Sequence, residues 1–411
     1  MVMRKYKIVT LVLWCILTAG LCGVLVYGMS GHRFYAGYQS YEVYGGSPNL
    51  VFEKEIPLDG IDNILVQYDM NNNDIYLREG DADVLTIREY NELELKEDEI
   101  STVTVTDGRI EVRGKRRNGI EFQIRLGRSG FRSVIGYTEI ILPASYKGQL
   151  SLMTASGDIK REAALVLEKD FEASTISGDI MLTDVTAENI SLKCSSGDID
   201  ADQLTGVTDI ESTSGEITVR NFVGGTKLKS SSGDIESESI TGNARLVTTS
   251  GEITVQHVDG DVSAESSSGD IGIHKGSGAR TVMTTSGDIR LDGVDGVWEI
   301  QTSSGEVWIK AQEGSGSIST TSGDINLKLS RLAGSLNMDS SSGLVQIGIA
   351  ADNAFDFRAD TSSGDIETFF DDDLSFSKRG NSAHGTYGDS EDGSSVVVKT
   401  TSGDVWVSKL N

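Results

Sequence analysis

From Ser156 onward the chain repeats a single arrangement of polar and apolar positions. Ser-Gly pairs place a glycine at 157, 178, 197, 215, 233, 251, 269, 287, 305, 323, 343, 364 and 403. Between Gly197 and Gly343 the spacing is 18 residues seven times and 20 once. The residue after the glycine is Asp or Glu in 12 of 13 units, with Leu344 the exception. The residue two after is always Ile or Val, and the residue four after is apolar in ten of 13. Five before the glycine, every unit from Gly197 to Gly343 is apolar. Period-two alternation on both sides of a polar corner predicts two short strands per unit. A further glycine follows nine residues after most corner glycines, at 206, 224, 242, 260, 278, 296 and 314, and marks a second corner. The expected fold is all-β: a flattened parallel β-solenoid whose 18-residue coils rise ~4.8 Å each, with Ile and Val ladders inside. The residue two before the glycine alternates Ser and Thr from Ser195 to Ser341. A 36-residue coil of four strands therefore fits the sequence as well.

Other parts of the chain depart from this pattern. Residues 49–150 alternate like strands, as in NILVQYD, VLTIREY and TEIILPA, but repeat poorly, so an irregular β region is expected to precede the solenoid at 151–411. The 39-residue gap from Gly364 to Gly403 holds one coil plus a surface-loop insert at about 367–393. Residues 8–27, IVTLVLWCILTAGLCGVLVY, carry no charge and are long enough to cross a bilayer as one transmembrane helix. Arg4, Lys5 and Lys7 precede this run, and nothing basic follows until Arg33. The positive-inside rule then puts residues 1–7 in the cytoplasm and the solenoid outside, with 28–48 as a linker. A cleaved signal peptide or a lipoprotein at Cys22 are the competing readings of the same run.

A net charge of −26 excludes broad affinity for nucleic acid, which needs clustered Lys and Arg. One basic cluster stands against it: Arg113, Lys115, Arg116, Arg117, Arg125, Arg128 and Arg132, with Glu121 the only acid among them. It reads either as a contact for anionic lipid, an anionic wall polymer or an envelope protein, or as a solvated hairpin. Stacked corners would line up carboxylates about 5 Å apart, which repel. Turn N–H groups can satisfy them, as in Asx-turns. Calcium could do so too, although calcium-binding nonapeptide solenoids carry an Asp every nine residues and here one acid occurs per 18. His257 and His274 fall 17 residues apart in adjacent coils but make a poor metal site on their own. The departures Arg161, Arg280 and Trp298 are scattered, and no HExxH, GxSxG or phosphate loop is present. No catalytic, cofactor or metal residue is nominated.

The stretches PLDGIDNILVQYDMNNNDIYLREG and EIILPASYKGQLSLMTASGDI, the train of SSGDI and TSGEI units and the closing VVVKTTSGDVWV together resemble the bacterial "putative adhesin" family of unknown function, which includes LiaG-like membrane-anchored proteins. The resemblance covers roughly residues 50–411. It implies an extracytoplasmic β-solenoid, often encoded near envelope-stress genes, and supplies no catalytic residues. Three functional readings follow. The first is a non-enzymatic interaction or scaffold surface anchored at the cell envelope. The second is an adhesin or glycan-binding module using the Ser/Thr ladder with Trp308 and Trp406. The third is an enzyme acting on wall polysaccharide.

Overall fold

The computed structural model describes residues 48–68, 73–115, 120–125, 128–133, 136–377, 380–388 and 393–410. The expected membrane span at 8–27, its cytoplasmic flank and the linker up to residue 47 lie outside them. Among the described residues no helix is long and apolar enough to cross a membrane.

The described chain is a parallel β-solenoid. In the regular part each strand pairs with the strand 18 residues on: Ile199 stands beside Ile217, Ile217 beside Ile235, Ile235 beside Ile253 and Ile253 beside Ile271. This register excludes the 36-residue coil. The Ser/Thr alternation that suggested it lies in a column outside the core. One strand of a coil follows the Ser-Gly-Asp corner, such as Ile217–Val223, and the other precedes the next corner, such as Thr226–Lys229. The Ile and Val two residues after each corner glycine are buried from Ile159 to Val405. They face a second column that includes Ile210, Leu228, Leu246 and Val282, all at 0 % exposure. No single coil encloses its own apolar face, so each is held by its neighbours.

Close stacking dictates the corners. A Cβ built on Gly233 would lie 1.9 Å from the carbonyl oxygen of Gly215 in the preceding coil, and the same conflict recurs from Gly157 to Gly403. The second corner adds a backbone demand: Gly242 has φ 130° and its Cβ would come 2.2 Å from the carbonyl oxygen of Gly224. Only glycine meets both conditions.

At the two ends the coils do not follow chain order. Residues 63–68 and 73–80 form a coil directly against the Gly157 coil, because 149–154 pairs with 63–68 and Ile159 with Ile75. Asn73 occupies the place of the corner glycine there, with its carbonyl oxygen 2.0 Å from a Cβ built on Gly157. The later strands 109–113 and 136–143 pair on the outer side of this coil. Strands 63–68, 73–80, 109–113 and 136–143 thus continue the ladder. At the other end the last strands of the chain, Ser395–Thr400 and Val405–Leu410, lie between coils contributed by 335–350 and 355–368. Both ends are closed by antiparallel strands. Residues 102–106 cover 109–113, and 84–91 covers 136–143. Within the 367–393 insert, 382–387 covers 355–361. Such covers remove open edges that would recruit other chains.

The first end holds a buried polar network. The Tyr68 hydroxyl donates to Glu89 (2.6 Å), and the Thr138 and Ser101 hydroxyls reach Tyr68 at 3.0 and 3.3 Å. Burial, and then the neighbouring Glu89 carboxylate, push the Tyr68 phenol above its ordinary range.

The stacking argument predicts opposite outcomes for two kinds of glycine. Gly233→Ala should cost about 3 kcal/mol, read as a lowered urea midpoint, because the carbonyl of Gly215 must move. Gly225→Ala, one residue past a second-corner glycine with nothing within 4 Å of its Cβ, should be neutral or raise the midpoint slightly. Equal losses in both variants would refute the stacking account.

Candidate functional site: the Ser-Gly-Asp corner and the groove beside it

Each corner is held by polar groups in three successive columns. Three residues before the glycine stands a buried Ser or Thr in every unit except one, where the residue is Cys194. Its hydroxyl accepts the glycine N–H of its own coil, as from Gly251 to Thr248 at 3.1 Å, and in several coils donates to the preceding glycine carbonyl, as from Thr284 to Gly269 at 3.1 Å. Cys194 fills both roles with sulfur: Gly197 N–H donates to Sγ at 3.0 Å, and Sγ lies 3.2 Å from the carbonyl oxygen of Gly178. Burial pushes this thiol above its usual value. The hydroxyl recurs at this offset in 12 of the 13 units, yet in a chain so rich in Ser and Thr it does not stand out without the corner geometry.

The acid after the glycine is a turn acceptor. The Oδ1 of Asp198 accepts the Glu216 N–H at 2.9 Å, that of Asp234 the Glu252 N–H at 2.8 Å, and that of Asp288 the Glu306 N–H at 2.7 Å. Glutamates at this position do otherwise: Glu216 and Glu252 accept the hydroxyls of Thr218 and Thr254 at 3.0 and 3.1 Å. The acid ladder is therefore built as backbone capping. No cluster of three or more metal-ligating side chains occurs among the described residues.

The remaining sequence-marked residues are dispersed. His257 stands beside Ser239 and lies 3.2 Å from Asp259, while His274 stands beside Asp292 in the next column. Arg161, Arg280 and Trp298 are all buried. Arg280 donates to the carbonyls of Gly260 (2.7 Å), Ala279 (3.1 Å) and Val258 (3.3 Å), and burial pulls its pKa down. Arg161 donates to Ala163 (2.8 Å) and Ala164. Trp298 is the register partner of Arg280; Gly314 leaves room for its ring, and Gly316 lies against its backbone. These residues serve the interior. Of the basic cluster, Arg113 is exposed beside Glu111, and Lys115 is exposed. Arg116 and Arg117 lie outside the described residues. Arg125, Arg128 and Arg132 fall in a hairpin of 120–125 with 128–133, where Arg125 is the register partner of Arg128.

Outside the corner runs a groove. Its walls are the outward residues two and four before each glycine. One cavity of about 460 Å³ extends from Met153 and Ala155 to Lys229 and Ser231. A second, of about 370 Å³, begins in the next coil at Val247 and Thr249 and ends at Gln301 and Ser303. Lys229 and Val247 are register partners, so the two lie end to end. Together they follow nine coils, roughly 40 Å at ~4.8 Å per coil. One wall is the alternating column Ser195, Thr213, Ser231, Thr249, Ser267, Thr285 and Ser303. The fold uses the hydroxyls three residues before the glycine and leaves these to solvent. The other wall carries mixed charge, with Lys193, Glu211, Lys229 and Glu265; behind it Lys227 lies 3.1 Å from Glu211 and holds that carboxyl below the usual range. At the start of the groove the hydroxyl column gives way to Ala155 and Ile176, the latter 59 % exposed.

Trp308 and Trp406 stand in one outward column with Asn326 and Gln346 between them. Trp406 is open at 43 % exposure, whereas Trp308 is partly covered by Arg290, whose guanidinium lies 4.0 Å from the ring centroid.

Against known proteins, a family model described as Toastrack DUF4097 matches residues 61–281 and again 261–408. No curated protein matches. Among solved structures the chain is similar to a "putative cell adhesion protein" from Clostridium sporogenes, with 8% identity, 88% of this chain and 100% of that one covered, and a TM-score of 0.20. It is also similar to a "putative adhesin" from Parabacteroides distasonis (14% identity, 72% and 92% covered, TM-score 0.19) and one from Parabacteroides merdae (12%, 72% and 95%, 0.18). At these TM-scores the likenesses carry no argument.

If the corner acid is a cap, its acceptor matters and its charge does not. Asp198→Asn should keep the wild-type thermal midpoint, while Asp198→Ala should lose about 1 kcal/mol of stability. The midpoint should also rise with sodium chloride, and calcium at matched ionic strength should add nothing. A calcium-specific rise would restore the cation-ladder reading.

Proposed function

We propose that this chain, which belongs to the Toastrack DUF4097 family, is a non-catalytic docking rod held outside the cell membrane, and that its working surface is the corner groove. The observation that carries this reading is the groove itself: two cavities end to end, walled by hydroxyls that the fold does not consume. A rigid ladder with one hydroxyl per coil suits a linear polymer that can meet the same contact at each step. Many weak contacts in line then add without any deep pocket. The mixed charge of the opposite wall disfavours a strongly charged polymer of either sign, so an extended wall polysaccharide is the preferred class. A catalytic reading has less support, because the charged departures from the repeat, Arg161 and Arg280, are spent on interior carbonyls. Anchoring rests on the uncharged run at 8–27 with its basic N-terminal flank.

Two measurements test the reading. The full chain should co-sediment with insoluble wall polysaccharide, and Thr249→Lys with Ser267→Lys, which block the groove without touching a corner hydrogen bond, should reduce the bound fraction at least fivefold. Undiminished co-sedimentation would remove the groove from the proposal. Protease added to intact cells should digest residues 49–411 and spare a short N-terminal fragment. Survival of the intact chain until lysis would place the rod inside and overturn the topology.

A further inference from the structure

On the other side of the corner, the third residue after each glycine also points outward and forms a column. In mid-rod it reads Glu236, Thr254, Gly272, Arg290, Trp308 and Asn326. One position in that run lacks a side chain, and the fold does not require glycine there. Gly272 has no left-handed φ, and a Cβ would meet only His274 Nε2 at 3.5 Å and Thr254 Oγ1 at 3.9 Å, both ordinary contacts. The corner glycines, by contrast, would clash with backbone near 2 Å. A glycine in an exposed strand position weakens the strand relative to almost any other residue. Its cost here is offset by no packing or conformational need.

What the missing side chain creates is a notch of about 330 Å³. Thr254 forms one wall and Arg290 the other, with His274 at one end and the acids of four successive corners at the other. Trp308 stacks on the guanidinium of Arg290 at 4.0 Å, and Asp292 Oδ2 lies 3.7 Å from its Nη2. These contacts orient the guanidinium in the Arg290 wall of the notch. The corner acids are only half used. Asp270 Oδ1 accepts the Asp288 N–H at 2.8 Å, and Glu252 Oε1 accepts the Thr254 hydroxyl. The second oxygen of each has no hydrogen-bond partner among the described residues. The notch therefore offers a row of acceptors at coil spacing beside the Arg290 donors, with Ile271, Ile289 and Trp308 contributing apolar lining between them.

That combination selects by charge and polarity. A polyanion would be repelled by four carboxylates, and neither a cation nor an apolar side chain can accept a hydrogen bond from the Arg290 guanidinium. A polyol meets both needs, because each hydroxyl donates to a carboxylate and accepts from a guanidinium. We propose that the Gly272 notch binds one sugar unit of a neutral glycan, with the corner acids and Arg290 reading its hydroxyls. This does not rest on the groove, which lies across the corner and can be left intact.

The test presents the full chain to an array of neutral gluco-, galacto-, manno- and N-acetylglucosamine oligosaccharides, beside anionic glycans and peptides. Gly272→Val fills the notch and should abolish capture of neutral glycans, at least tenfold, while leaving the thermal midpoint unchanged or raised. Arg290→Ala, at an exposed position, should give the same loss. The groove pair Thr249→Lys and Ser267→Lys should leave capture of short oligosaccharides unaltered. Absence of neutral-glycan capture by the wild type would overturn the proposal. So would capture that survives both notch variants, or loss of anionic rather than neutral glycans on filling the notch.

Discussion

Everything in this rod hangs on the distance between one glycine and the carbonyl of the glycine a coil below. At the spacing of a parallel ladder, a corner residue lies directly over its predecessor, and a Cβ at Gly233 would sit 1.9 Å from the Gly215 oxygen. With hydrogen in its place the corner closes, the strands on both sides hold the ladder spacing, and the Ile and Val columns fall into contact. The second corner repeats the demand and adds a positive φ. Register follows from these two points. A slip by one residue would move a side chain into each corner and turn every inward Ile toward solvent.

The same constraint sorts the polar residues into those the fold consumes and those it leaves over. A corner this tight cannot hydrate its own backbone, so the buried hydroxyl three residues earlier and the acid one residue later take up the N–H groups. Twelve copies of Ser-Gly-Asp or Ser-Gly-Glu look like a ligand motif and are a hydrogen-bonding device. What remains lies just outside on either side: the Ser/Thr column of the groove, and the half-used carboxylates that face Arg290 across Gly272. Gly272, unlike the corner glycines, is required neither by a close backbone nor by a positive φ, and its missing side chain is what opens the notch.

Much of this was legible in the residues. The 18-residue spacing gave the coil, the Ile and Val two after each glycine gave the inner ladder, and the spacing of the acid gave its turn role. Other features were hidden for physical reasons. Ser/Thr alternation suggested a 36-residue coil, but that column faces outward, where no packing ties it to the register. The first coil escaped notice because Asn73-Asp74-Ile75 stands in for Gly-Asp-Ile, with Asn, a residue well suited to turns, replacing the glycine. Arg280 and Trp298 read only as scattered departures from the repeat, since hydropathy does not reveal that a guanidinium can lie inside when three carbonyls receive it. The basic cluster was equally plain as a pattern, yet of its seven members only Arg113 and Lys115 lie where their exposure is described.

Coil order at the ends was not readable at all, and the reason bears on function. Because Gly343, Gly364 and Gly403 carry the same corner, the sequence permits any of them to stack on any other. The structure places the Gly403 coil on the Gly343 coil and the Gly364 coil beyond it. The outermost coil is then one whose following segment, the insert, supplies a hairpin that covers its edge. Had the coils stacked in chain order, Ser395–Thr400 and Val405–Leu410 would be the outermost strands, and the insert's hairpin would cover a coil one step further in. An open parallel edge would extend by adding another molecule, and the groove would then have no defined length. Closing both ends fixes the number of coils, and with it the number of contacts the rod can offer to whatever lies along it.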